Sequence, residues 1–204
     1  MTAMSESHWH KYNEAGATQE ARPRLLLTLD KLFQGSPALA LDLGSGSGRD
    51  TKELLKRGWK VDAQDSDPTA LKYLDELKIK YSNKLEIIPN PFEALSLPGN
   101  NYLLINASFS LPFCPPKHFP QLWNTIISTL KPGGILTCDL FGINDDWNKG
   151  ADAHKLSFHS LEQAKELLRP LEILQLNEIE KDGATFAEAM KHSHQIICIA
   201  KKPS

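Results

Sequence analysis

Leu41-Asp42-Leu43-Gly44-Ser45-Gly46-Ser47-Gly48-Arg49-Asp50 is the stretch whose reading decides the fold. An apolar run at 38–43 leads into it, short and continuous enough for a strand buried on both faces. Residues 50–57 leave it with helical character and stop at Gly58. Glycines at alternate positions let the backbone turn with positive φ and let a ligand lie close against it. The helix beyond presents free N–H groups and the positive end of its dipole. Strand, glycine-rich turn and helix, in that order, open a nucleotide-binding α/β unit.

The spacing narrows the ligand. A dinucleotide fingerprint reads Gly-x-Gly-x-x-Gly. Here Gly48 comes one residue early, and Arg49 occupies the dinucleotide position. Asp42 stands just before the first glycine, where a carboxylate repels a pyrophosphate and attracts an ammonium. A nucleoside with a zwitterionic amino-acid tail satisfies both features. Asp65 ends the next strand-like run, and an acid there can accept hydrogen bonds from both ribose hydroxyls. Asp62 lies inside that run and is the poorer candidate.

Outward from this unit the alternation continues. Residues 59–64 read as a second strand. Pro68 sits where a helix can begin, and 70–81 carry Leu71, Leu74, Leu77 and Tyr81 on one side. Residues 85–88 form a third strand stopped by Pro89 and Pro91, and 102–105 a fourth. A helix at 119–130 is broken by Lys131-Pro132-Gly133-Gly134, a fifth strand covers 135–141, and 161–168 is helical. The runs at 171–181 and 194–201 pair as an antiparallel hairpin, with Asp182 and Gly183 in its loop. Upstream, Leu25, Leu26, Leu29, Leu32 and Phe33 recur at helical spacing until Gly35 and Pro37, and residues 1–17 read as a polar tail carrying Trp9 and Tyr12. Strands alternating with helices predict an α/β fold, a mostly parallel sheet covered on both faces.

Composition sets the outer bounds. The 204 residues fit one domain, with 1–35 a capping helical region and 36–204 the binding core. Hydrophobic residues make up 41% and charged residues 24%, and the net charge of −2 holds no basic surplus that would point to nucleic acid. Residues 1–11 are polar and no apolar run approaches the length of a membrane span, so a cytoplasmic protein is expected. The three cysteines are too scattered for a disulfide framework. Among the seven histidines, His192 and His194 share one side of the last strand, but nothing completes a metal site and none is expected.

With these residues in place, 38–200 resemble a class I S-adenosylmethionine-dependent methyltransferase, of the small-molecule kind that includes the tellurite-resistance and thiopurine enzymes. Asp42-Leu43-Gly44-Ser45-Gly46-Ser47-Gly48 resembles the family's first motif, Asp65 its ribose acid, and Lys131-Pro132-Gly133-Gly134 its turn before the fifth strand. The resemblance implies a Rossmann-like seven-stranded sheet with an antiparallel last strand. It also implies S-adenosylmethionine as cofactor, leaving as S-adenosylhomocysteine, and a small-molecule acceptor.

Cofactor contacts are then expected at Asp42, Gly44, Ser45, Gly46, Gly48 and Asp65, with Asn90 and Phe92 at the adenine and Asn106 at the methionine part. Tyr12, Phe109, Asp145 and Trp147 are the substrate candidates, and no catalytic residue is assigned. Asn90-Pro91-Phe92 imitates part of the Asn-Pro-Pro-aromatic motif of amino-group methyltransferases, but it follows the third strand where that motif follows the fourth. A methyltransferase acting on RNA or protein, and a non-catalytic S-adenosylmethionine-binding protein, remain the alternatives. An NAD-dependent oxidoreductase fits least, because of Asp42 and the early Gly48.

Overall fold

The computed structural model describes the backbone of residues 6–184 and 190–204, and side chains from residue 9 onward outside 185–189. Helix α1 spans Glu6–Gly16, and α2, Pro23–Leu27, runs on into a π-helical turn, Thr28–Leu32. Strand β1, Leu39–Leu43, is followed by α3, Arg49–Lys56; then come β2, Lys60–Gln64, and α4, Pro68–Lys80. Strands β3, Leu85–Ile88, and β4, Tyr102–Ala107, precede α5, Phe119–Thr129. The chain closes with β5, Leu130–Gly142, the two-residue β6, Phe158–His159, α6, Leu161–Leu168, and the strands β7, Glu172–Ala184, and β8, Met190–Lys201.

The strands lie in the order β3-β2-β1-β4-β5-β8-β7, with β6 paired to β5 off this path. Strands β3 to β5 are parallel neighbours, and β8 runs antiparallel to both β5 and β7. The expected α/β architecture, with its one reversed strand, is therefore present. Local chemistry sets the helix ends. Asp67 caps α4 by accepting from the amides of Thr69 and Ala70, ahead of Pro68. Ser160 and Gln163 close a reciprocal capping box on α6.

Alternation along the strands sorts two cores onto the two faces of the sheet. Leu41, Ile105, Leu136 and Cys138 face α5 and α6. Ala40, Leu104, Ile135 and Ile199 face the other layer with Leu25, Leu54 and Leu74. Toward the carboxyl ends of the strands this second face turns polar. Asp42 pairs in register with Asn106, and Asn106 with Thr137, two residues short of Asp139. These four side chains are all 1% exposed or less. A buried polar row of this kind survives only when its hydrogen bonds are satisfied.

Three expectations need correction. Residues 6–16 form a helix rather than a tail. Its polar pattern hides this because α1 lies on α4 and the glycine loop instead of the apolar core: Asn13 Nδ2 donates to Asp67 Oδ1 at 3.0 Å, and the Trp9 ring meets Phe113 edge-on at 4.8 Å. Strand β5 begins at Leu130, because residues 131–134 loop out between the Tyr102–Leu130 and Leu104–Ile135 pairings. Asp182 and Gly183 pair with His192 and Lys191 as part of the ladder, not as its loop.

Candidate active site

The loop from β1 to α3 lies against the tip of β2. At Gly44 φ is +60°, and a β-carbon there would stand 2.3 Å from the Ser110 β-carbon. At Gly46 φ is +56°, and a β-carbon would meet Asn13 Oδ1 at 2.9 Å. Gly44 therefore demands glycine both by conformation and by close approach, and Gly46 by conformation. The last residue of β2 and the one after it hold the loop's amides: Gln64 Oε1 accepts from Gly44 N at 3.0 Å, and Asp65 Oδ2 from Gly46 N at 2.8 Å. Gln64 Nε2 donates to the Asn90 carbonyl at 2.7 Å, tying the loop to the end of β3.

Beside this loop opens a cavity of about 400 Å³. This is within the range of small-molecule sites, roughly 300–1,000 Å³. Its wall is built from Gly44 and Gly46, from 64–68 at the end of β2, from 91–93 after β3, from 108–110 and Phe113 after β4, and from Trp9, Tyr12 and Asn13 of α1. All but the α1 residues lie in or just after the carboxyl ends of strands, the usual binding edge of such sheets. Burial pushes the Asp65 carboxyl above its ordinary range, against the pull of the Asp67 and Gly46 amides.

The structure brings Gly44, Gly46, Asp65, Phe92, Tyr12 and Phe109 together on this wall. Ser45 lies on the other side of the loop, in a small recess shared with Tyr12, Arg22 and Arg49. Gly48 caps α3 and sits against Leu74 and Leu77 of α4. The remaining candidates lie off the wall. Asn90 offers only its carbonyl to Gln64 and is otherwise exposed. Asp42 lies beneath the loop, accepting from Thr51 Oγ1 at 2.5 Å and Asn106 Nδ2 at 2.8 Å. Burial first, then the neighbouring Asp50, raises its pKa to about 7. Asn106 spends its amide on Asp42 and Asp50. Asp145 is fully buried in an ion pair with Lys191 Nζ at 2.7 Å, and Trp147 stacks under that ammonium at 3.7 Å. Their loop thus backs Phe113 and Phe141 rather than facing the cavity. Asp62 accepts from the Tyr102 hydroxyl at 2.6 Å, away from the site.

Sequence reasoning missed the polar residues beneath the wall. Arg24 of α2 makes a two-pronged pair with Asp139 of β5, and also donates to Thr137 Oγ1 at 2.9 Å and Ser108 Oγ at 2.8 Å. Asp139 Oδ2 in turn accepts the Phe109 amide at 2.8 Å. Phe109 needs this hold, since its φ of +53° is a strained conformation for a bulky residue. Arg22 donates to Asp50 and to the Tyr12 hydroxyl, the latter at 2.6 Å, and lies 5.4 Å over the Phe109 ring. The available signal was an acid, Asp139, in a largely apolar strand.

Residues 40–134, from within β1 to the first residues of β5, match the family model described as a methyltransferase domain. A relative of the methyltransferase domain, the malonyl-[acyl-carrier protein] O-methyltransferase of Xylella fastidiosa, is 29% identical over 136 residues, which cover 65% of this chain and 45% of that protein. The match thus spans less than half of the relative's length. Among solved structures, 1,6-didemethyltoxoflavin-N1-methyltransferase of Burkholderia thailandensis, crystallised with its substrate and S-adenosylhomocysteine, superposes with a TM-score of 0.70 at 20% identity, covering 97% of this chain and 85% of that one. TehB of Haemophilus influenzae gives 0.73 at 18% identity, covering 97% and 66%. At these identities the likeness establishes the fold alone.

Proposed function

We propose that the chain is an S-adenosylmethionine-dependent methyltransferase acting on a small molecule in the cytoplasm, working as one unit with 1–35 capping 36–204. The observation that carries this is the pairing of Asp65 with the glycine loop on the wall of a cavity of fitting size. No helix among the described residues is long and apolar enough to cross a membrane.

The residues present fit the donor. Along the sheet edge from β3 to β4 the wall offers Pro91 and the Phe92 ring, then the Asp65 carboxylate, then the bare Gly44–Gly46 backbone, then the 108–110 turn. That order suits a base, a ribose and an amino-acid tail in sequence. Phe92 would stack on the base, and Asp65 would accept from the ribose hydroxyls. Arg22 and Arg49 line the recess behind Gly44 and Gly46, where a cation would suit the tail's carboxylate end. The donor supplies a methyl group already activated on a sulfonium. The chain's task is then to align an acceptor with it and exclude water, for which Trp9, Tyr12, Phe109 and Phe113 form an aromatic wall.

Titration calorimetry with S-adenosylhomocysteine tests this reading. We expect micromolar binding, weakened roughly 10- to 100-fold in Asp65→Ala through loss of charge-assisted hydrogen bonds. A folded wild-type protein that does not bind it would overturn the assignment.

A further inference from the structure

The charged side chains on the cavity wall are acids. Asp65, Asp67 and Glu93 line it, and among the described residues no lysine, arginine or histidine does. Cations behind the wall are paired with buried carboxylates: Arg22 with Asp50 at 3.3 Å, Lys191 with Asp145 at 2.7 Å, and Arg24 with Asp139. Where α1 meets the turn after β4, the wall is aromatic. Trp9 stands edge-on to Tyr12, 5.9 Å away at 87°, and to Phe113, 4.8 Å away at 82°. Rings set near right angles make a corner rather than a stack, and such corners enclose cations through their ring faces.

These features select the charge of the acceptor. In transfer from a sulfonium, the acceptor's lone pair forms a bond to the methyl carbon as the carbon–sulfur bond breaks, and that bond's electron pair goes to sulfur. An anionic acceptor cancels the one positive charge. A neutral acceptor takes it over and leaves as a cation. An anion would have to shed its water beside three carboxylates that repel it. A developing cation instead meets acids and ring faces, which favour it. The wall's titratable groups narrow the class further. They are these carboxylates and the Tyr12 phenol. An alkylamine is protonated at neutral pH, and a carboxylate is too weakly basic to take that proton. A pyridine-type ring nitrogen keeps its lone pair available at that pH, and its flat ring suits an aromatic corner. We propose that the acceptor is a flat heteroaromatic base, methylated on a pyridine-type ring nitrogen to an N-methyl cation, and that Trp9, Tyr12 and Phe113 select it. This inference rests on the donor-binding reading above and adds the acceptor class to it.

The test titrates the protein, loaded with S-adenosylhomocysteine, with flat probes of similar size: neutral quinoline, cationic 1-methylquinolinium and anionic 2-naphthoate. We expect quinoline and 1-methylquinolinium to bind, the cation roughly tenfold or more tighter than 2-naphthoate. Trp9→Leu keeps an apolar surface and removes the ring face. It should weaken 1-methylquinolinium about 3- to 30-fold and quinoline less. Binding of 2-naphthoate as tight as that of the cation overturns the inference, and so does failure of quinoline to bind. Equal weakening of both probes in Trp9→Leu makes that ring a packing element and overturns its role in selection. The probe comparison on the wild type holds whether or not the variant folds. Failure of the wild-type protein to bind S-adenosylhomocysteine is a different result: it overturns the donor-binding reading and this inference with it.

Discussion

Replacing Arg24 by Met should strand a buried carboxylate. Asp139 is fully buried and the Arg24 side chain is 9% exposed, so no solvent stands ready to replace the lost guanidinium. The carboxylate keeps one partner, the Phe109 amide. Breaking a buried pair from one side costs about 3–5 kcal/mol. In a domain of this size each kcal/mol lowers the melting temperature by about 2–4 °C, which gives a fall of roughly 6–20 °C. Arg24→Met/Asp139→Leu removes both charges and fills the space with apolar atoms, the change that commonly restores stability. What it cannot restore is an acceptor for the Phe109 amide, leaving about 1–3 kcal/mol unrecovered. The double variant should therefore melt between the single variant and wild type. Without Asp139 the 108–110 turn relaxes from its strained form, so S-adenosylhomocysteine affinity should stay low as stability returns. Differential scanning calorimetry and ligand titration read the two effects separately. A single variant within about 1 kcal/mol of wild type, or a double variant no more stable than the single, refutes the reasoning.

Two further outcomes follow from the site. Gly44→Ala should lose S-adenosylhomocysteine binding and about 1–3 kcal/mol of stability, from the positive φ at Gly44 and the close Ser110 β-carbon; unchanged titration and denaturant curves would sink this account of the loop. Asp42 takes up its proton near pH 7 in the folded protein, against 3.8 for the free side chain. The folded state thus binds more protons than the unfolded one across that window, so this group's contribution is present below pH 3.8 and lost as pH rises to about 7. Asp42→Asn should accordingly lose less stability than wild type between pH 5 and 8 in chemical-denaturation curves; parallel profiles would count against a raised Asp42.

The sequence by itself determined the order of elements, the glycine turn between β1 and α3, and Asp65 at the tip of β2, because each rests on local signals. Apolar periodicity, glycine spacing and a carboxylate at a strand end act within a few residues of one another. The aromatic residues of α1 were visible, but their helix was not, since α1 buries polar atoms on α4 instead of an apolar stripe on the core. Asp42 was legible as an acid beside the loop, but its side was not: strand alternation and the Asn106 register turn it beneath the glycines, away from the cavity wall. Only the tertiary structure paired Arg24 with Asp139, residues far apart in the chain. It alone turned Asp145 inward onto Lys191. Those facts depend on which side chains the packed sheet and helices bring within hydrogen-bond distance, and no spacing along the chain encodes that distance.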